Sequence, residues 1–133
     1  MKRVTQINVL LPNVPGSLAT ICDKLRAADV NLIALCTTEG KPNSTFHMVV
    51  DDTDTAKLVL SPLFKVTTNT VFCFEVKNKP GAIAAIGRTC AGAGVNIRNI
   101  YATTYGKEAT VYVSVEDDAK AEEAFKSMKN GGS

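Results

Sequence analysis

The chain contains two copies of one sequence pattern, and this repeat constrains the fold more than any other feature. Pro15 and Pro80 stand 65 positions apart (80 − 15 = 65), and the same offset aligns much of the 133-residue sequence without a gap. The segments NVPGSLATI and NKPGAIAAI match at this offset, and so do the later pairs Val30/Val95, Asn31/Asn96, Thr45/Thr110, Val50/Val115 and Ala56/Ala121. An ungapped register of this length indicates an internal duplication, so the two halves should fold alike.

Each copy begins with a predicted strand and a predicted helix. Apolar residues alternate before an Asn-x-Pro-Gly turn, which indicates a strand with one buried face. We predict that Pro15 and Pro80 lie in the first helical turn, where a missing N–H costs no intrahelical bond. The helical stripe comprises Leu18, Ile21, Cys22, Leu25 and Ala28 in copy one, and Ile83, Ile86, Gly87, Cys90 and Ala93 in copy two.

Two further strands and a second helix follow in each copy. The second helix is predicted to start after Asp52 or Asp117, since an acidic residue suits a helix N-terminus. This order predicts an α+β fold of two ferredoxin-like βαββαβ units in tandem, at residues 1–68 and 69–133. The helices should cover one face of antiparallel sheets.

Copy two departs from the repeat at its end. The fourth strand of copy one runs through FKVTTNTVF, but the equivalent positions 129–132 read KNGG. We therefore predict that the final strand of copy two is missing. Either the end is a frayed tail or a neighbouring chain's strand fills the position, which favours a homodimer.

Composition and charge argue against several partners. The net charge is +2 with both signs interspersed, so nothing favours nucleic acid or a membrane. The third-strand segments STFHMVVD and ATVYVSVE lack the aromatic and basic residues of an RNA-binding sheet. No apolar run has transmembrane length and no signal peptide is evident, so the default expectation is a cytoplasmic protein.

Candidate catalytic and cofactor residues are few. The four cysteines form no C-x-x-C pair and are interpreted as small, reduced core residues, and His47 is the only histidine. AGAGVN follows a predicted helix instead of a strand, so Gly94 is interpreted as a helix C-cap and not as part of a dinucleotide fingerprint. We expect no enzymatic activity, no metal and no cofactor.

The repeated turn is the candidate binding site. A helix N-terminus attracts a carboxylate, and Gly16 and Gly81 allow close approach to the backbone. Asn13 and Asn78 offer both donor and acceptor groups, as a free amino acid requires. The alternative is that these asparagines only form the turn and cap the helix.

The segments NVPGSLATICDKLRAADVNLIAL and NKPGAIAAIGRTCAGAGVNIRNI resemble ACT domains, small ligand-binding modules that regulate amino-acid metabolism. The resemblance covers nearly the whole chain and has no catalytic domain attached. It implies a non-enzymatic sensor with two ACT units joined into one eight-stranded sheet. An amino acid would then bind where the two units meet.

The resemblance implies two related sites. Their residues are Asn13, Val14, Pro15 and Gly16 with Asn96, and Asn78, Lys79, Pro80 and Gly81 with Asn31. Serine-binding members often carry a histidine where this chain has Leu11 or Val76, which favours a more apolar amino acid or no ligand at one of the two sites. Arg98 either pairs with a ligand carboxylate or reaches solvent.

A second hypothesis is a regulatory subunit that docks onto a catalytic partner of amino-acid metabolism. His47, Val49, Tyr101 and Tyr112 are predicted to be exposed on the sheet, where they would contact the partner or form a homodimer face.

Overall fold

The computed structural model describes residues 1–12 and 14–128, and these form two compact units. The first unit is Thr5–Asn69, and the second joins Met1–Val4 to the chain from Thr70 onward. The elements are β1 (Lys2–Pro12), α1 (Ser17–Ala27), β2 (Leu32–Thr38), β3 (Asn43–Val50), α2 (Thr53–Leu60), β4 (Lys65–Lys77), α3 (Ala82–Gly92), β5 (Ile97–Tyr105), β6 (Glu108–Val115) and α4 (Asp118–Lys126). The boundary between the units falls within β1 and within β4, so each unit has segments of four strands.

The first unit is an antiparallel sheet with two helices packed against it. Its strands lie in the order β2-β3-β1, and Ile7 is opposite Met48. Alternate β1 residues enter the core because successive side chains of a strand point to opposite faces. That core comprises Ile7, Val9, Leu11, Ile21, Leu25, Val30, Phe46, Met48, Val50, Ala56 and Leu60.

The second unit repeats this arrangement with β4-β6-β5. Its core centres on Phe125 of α4, whose ring meets Phe72 at 5.1 Å and Phe74 at 4.8 Å between centroids, both edge to face. The α+β class, the antiparallel pairing and the position of the helices on one sheet face are confirmed.

The start of the chain belongs to the second unit. Lys2–Val4 supply a strand segment there, and the Arg3 Nη2 donates to Glu122 Oε2 at 3.0 Å. The same guanidinium lies 5.2 Å from the centroid of the Phe72 ring. The predicted absence of a final strand concerns residues 129–132, which lie outside the described residues. The second unit nevertheless has a fourth strand segment, and it comes from the N-terminus.

Several local predictions are wrong. The first helices begin at Ser17 and Ala82, so Pro15 and Pro80 precede the helix, and Gly16 and Gly81 are the N-caps. The caps need a left-handed backbone, which proline cannot adopt.

The predicted helical stripes are also too wide. Leu18 and Ile83 are 44% and 47% exposed, whereas Ile21 and Ile86 are buried in the cores of their units.

The cysteines are more varied than expected. Cys73 and Cys90 are buried, and burial raises the pKa of both thiols, whereas Cys22 is exposed and Cys36 is half-buried. The interpretation as core residues therefore holds for two of the four. Across residues 1–12 and 14–128, no helix combines the length and the apolar character needed to span a bilayer.

Candidate functional site

The two repeated turns have nearly the same backbone. Gly16 and Gly81 have φ of 90° and 89°, the left-handed region that favours glycine. Each glycine carbonyl accepts the first helical bond, from Thr20 N at 3.0 Å and from Ala85 N at 3.1 Å. No side chain caps either helix, and a Cβ at either glycine would meet no heavy atom within 4 Å. Among the described residues, the space on the Cβ side of each glycine is therefore open.

Hydrogen bonds within the chain hold each turn in shape. In the first unit the Ser17 hydroxyl donates to the carbonyls of Pro12 and Val14, both at 3.2 Å. Val14 and Pro15 are exposed, and so is the nearby Leu18. The predicted site residue Asn13 lies outside the described residues.

Asn78 has a structural role in the second unit. Its Nδ2 donates to the Gly106 carbonyl at 3.0 Å, and its backbone N–H donates to the Lys107 carbonyl at 2.8 Å. These bonds tie the Asn-x-Pro-Gly turn to the β5–β6 hairpin. They support the alternative that the turn asparagine acts as a structural residue, at least through its amide nitrogen. Lys79 and Pro80 follow it and are exposed.

Asn31 and Asn96 each lie directly before a strand, β2 and β5 respectively, but the hydrogen bonds around them differ in part. Asp51 N donates to the Asn31 carbonyl at 3.1 Å, and Glu116 N donates to the Asn96 carbonyl at 3.1 Å. In the first unit the Asp51 carboxylate also accepts from Asn31 N at 2.9 Å. In the second, Asn96 Nδ2 donates to Glu116 Oε2 at 3.3 Å. Both asparagines are exposed, so a ligand can reach them.

A cleft of about 380 Å³ opens beside Asn31 in the first unit. It lies between the C-terminal end of α1, the start of β2 and the residue after β3. Its lining comprises Cys22, Leu25, Arg26, Asp29, Val30, Asn31, Leu32 and Asp51. The cleft was not predicted from the sequence, because residues from three elements form it.

Arg98 is exposed in a β-bulge. The register of β5 against β6 shifts between Ile97 and Asn99, and Arg98 is the residue in between. Ile33 occupies the matching bulge of β2 and is also exposed. The position is therefore an outward-facing one in both copies, and it suits a side chain that reaches solvent.

The residues expected to set ligand polarity are not at the surface. Leu11 and Val76 are buried and belong to the cores of their units. The expectation of a more apolar ligand stays a prediction.

The predicted exposed sheet face is wrong. Val49 and Tyr112 are buried, with Tyr112 only 5% exposed, while His47 and Tyr101 are half-buried. The Tyr101 and Tyr112 rings stack with centroids 5.1 Å apart, so neighbouring strands cover these residues.

A polar cluster of the first unit was missed from the sequence. His47 Nδ1 lies 2.8 Å from Asn8 Oδ1, and its Nε2 lies 3.0 Å from the Thr38 hydroxyl. Asn69 Oδ1 accepts from Asn8 Nδ2 at 2.7 Å and from Gln6 Nε2 at 3.2 Å. Burial lowers the pKa of His47. Gln6 and Asn8 alternate with core residues, so in sequence they resemble a solvated strand face.

Among residues 1–12 and 14–128, no three cysteine, histidine or acidic side chains lie close enough to hold a metal ion.

Comparison with known proteins adds a family and a fold. Residues 70–130 match the family model of the ACT domain. Protein BT0572 from Bacteroides thetaiotaomicron is a similar solved structure, with 27% identity, a TM-score of 0.86, and coverage of 93% of this chain and 87% of that chain. The regulatory subunits of aspartate kinase from Thermus thermophilus and Thermus flavus share 17% identity each. Their TM-scores are 0.65 and 0.60, over 94% and 93% of this chain and 92% and 90% of theirs. The comparison with curated proteins finds no match.

The family match covers the turn from Asn78 to Gly81 and confirms the resemblance for copy two. Residues 1–69 lie outside it, so the assignment of copy one to the same family stays a prediction. The likeness to the aspartate kinase subunits concerns the fold alone.

Proposed function

We propose that this protein is a non-enzymatic regulatory protein that binds a free amino acid through two ACT units. The observation that carries the proposal is the pair of turns whose glycines have nearly the same backbone angles, of which the one at Gly81 lies inside the matched ACT region. ACT domains are regulatory modules, and the same backbone geometry at Gly16 supports a second unit of the same kind in copy one.

The chemistry of the turns suits a zwitterion. A helix N-terminus with no side-chain cap offers backbone N–H groups and a partial positive charge to a carboxylate. No described heavy atom lies within 4 Å of the Cβ position of either glycine, which supports access from that side. An asparagine oxygen can accept from the ammonium group. The two turns thus provide for both charged groups of an amino acid.

We assign one site to Asn13, Val14, Pro15 and Gly16 with Asn96, and the other to Asn78, Lys79, Pro80 and Gly81 with Asn31. Each site combines a turn with an asparagine of the other copy, either from the same chain or from a second chain. A joined eight-stranded sheet and a homodimer are the assemblies that would bring these residues together.

The test is a binding screen of the folded protein against the twenty amino acids by thermal shift and calorimetry. A ligand at 100 times its Kd should add about 2.7 kcal/mol to the free energy of unfolding. Gly81→Ala should weaken binding, because a side chain in the left-handed region strains the turn. Gly92→Ala is the control, since Gly92 ends α3 and has no positive φ. A blank across the panel would overturn the proposal.

A second candidate is a regulatory subunit that docks onto a catalytic partner of amino-acid metabolism. What favours it is the fold shared with regulatory subunits of aspartate kinase. The sheet residues first expected to make that contact are largely buried, so docking would have to use another surface. Affinity capture with the folded chain from its native extract should retain one stoichiometric enzyme, and an empty eluate would exclude this candidate.

A further inference from the structure

The cleft beside Asn31 carries an unequal set of charges. Asp29 and Asp51 bring two carboxylates, and Arg26 brings one guanidinium. The C-terminal end of α1 adds the negative end of the helix dipole. The cleft therefore has an excess of negative charge together with a single strong anion-binding group.

These charged groups are only weakly engaged within the chain. The Arg26 guanidinium is 3.9 Å from the Asp23 carboxylate, and both side chains are largely exposed, so the ion pair is weak. Asp51 uses Oδ1 to accept from Asn31 N. Within residues 1–12 and 14–128, the Asp29 carboxylate has neither a hydrogen bond nor an ion pair. Arg26 and Asp29 are thus available to a ligand.

The duplicated copy shows that the fold does not require these charges. At the offset of 65, Arg26 corresponds to Ala91 and Asp29 to Gly94. The two helices end with the same bonds: Asp29 N to Arg26 O and Gly94 N to Ala91 O, both 3.0 Å. Asp29 has φ of 58° and Gly94 has φ of 69°. Copy one therefore keeps a carboxylate at a backbone position where glycine suffices.

We infer that the cleft of copy one selects an amino acid with a cationic side chain. Arg26 would pair with the ligand carboxylate, and Asp29 and Asp51 would face its two ammonium groups. A ligand of net charge +1 complements a cleft with two carboxylates and one guanidinium. This inference rests on the proposed amino-acid binding and names the class of ligand for the half of the site that contains Asn31. Copy two keeps only Glu116, the counterpart of Asp51, and has no charged residue at the positions of Arg26 and Asp29, so the inference concerns copy one alone.

The test uses the full chain with lysine, arginine and ornithine as probes and alanine, valine and serine as neutral comparators. Calorimetry gives the affinities, and amide NMR shifts at Asp29, Asn31 and Asp51 locate the binding. Asp29→Asn should weaken the cationic probes by roughly two- to fivefold, the range of one solvated ion pair. Neutral probes should change little. Asparagine tolerates a positive φ, so this variant keeps the helix end intact.

Two further variants separate charge from structure. The double variant R26A/D29G gives these two positions the residues of copy two. It should weaken the cationic probes more than Asp29→Asn does, because it removes the partner of the ligand carboxylate as well as one partner of its ammonium groups. Glu39→Gln removes a negative charge from the same unit at an exposed position outside the cleft lining and should leave all affinities unchanged.

The outcomes distinguish the two proposals. If neutral amino acids bind and the cationic probes do not, or if Asp29→Asn behaves like Glu39→Gln, the inference is wrong and the amino-acid sensor stands. If no amino acid binds, both fail. Binding of cationic probes with NMR shifts confined to the cleft, unaffected by Gly81→Ala and Gly16→Ala, would support the cleft and contradict the two-turn site.

Discussion

The hydrogen bonds and the lowered pKa of His47 could not be predicted from the residues next to it in the sequence. It lies on β3 between core residues, and its ring nitrogens contact the Asn8 amide oxygen and the Thr38 hydroxyl. An amide oxygen can only accept, so the proton of the neutral ring belongs on Nδ1, and Nε2 accepts from Thr38. Protonation would turn Nε2 into a donor, so the Thr38 hydroxyl would have to turn around.

We predict that the free energy of unfolding decreases as the pH falls below about 6.5, the ordinary pKa of histidine. Burial lowers the folded-state pKa of His47, so the unfolded chain binds the proton first. The stabilising contribution of neutral His47 to the free energy of unfolding is complete above pH 6.5 and is lost as the pH falls toward the folded-state pKa. Urea unfolding of the wild type and His47→Gln between pH 7.5 and 5 measures it. Equal pH slopes in the two proteins would contradict the assignment.

At the scale of elements, the second helix of each unit begins with an aspartate that caps its N-terminus. Asp52 Oδ1 accepts from Thr55 N and Asp117 Oδ1 from Lys120 N, both at 3.1 Å. Each carboxylate satisfies an N–H that the helix itself leaves unpaired. The Thr55 hydroxyl and N–H bonds lower the pKa of Asp52. The first helices, by contrast, start at glycine with no such bond.

We predict that Asp52→Ala and Asp117→Ala each reduce the free energy of unfolding, and that the loss at Asp117 is about 0.5–2 kcal/mol, the usual loss for a removed N-cap. Asp54→Ala and Asp118→Ala are matched controls, because they remove the same charge from the first turn without removing the cap bond. Chemical denaturation measures all four variants. A control that costs as much as its cap variant would show that charge near the helix end, and not the cap bond, is the cause.

At the scale of the molecule, the second unit is built from two segments that are far apart in the sequence. The second unit takes its first strand segment from Met1–Val4 and the rest from beyond Asn69. Arg3 secures that segment through Glu122 and the Phe72 ring. Units of about 65 residues have small cores, so a few such contacts form a sizeable share of stability.

We predict that Arg3→Ala destabilises the second unit selectively, by about 1 kcal/mol for a part-exposed ion pair and a cation–π contact together. Hydrogen exchange should accelerate at Phe72 to Val76 and in β6, while β3 of the first unit keeps its protection. Lys2→Ala removes a neighbouring positive charge and should have little effect. Equal acceleration in both units would contradict the selective effect.

The repeat, the order of strands and helices and the capping aspartates could be predicted from the sequence. The strands, helices and caps depend on residues close together in the chain, through alternation, helical spacing and an acidic residue before each second helix. They were therefore accessible from local pattern alone. The start of the first helices was misplaced because proline suits both a helical first turn and the turn before it.

The folded structure was needed to show which chain segments complete each unit, which polar residues are buried and where a cleft opens. Gln6, His47 and Asn69 are far apart in sequence and meet only because β1, β3 and β4 bring them together. The Arg26, Asp29 and Asp51 cleft likewise needs a helix end beside two strand ends. Such contacts depend on long-range packing, and a strand pattern shows only that a residue faces away from the core, not what covers it there.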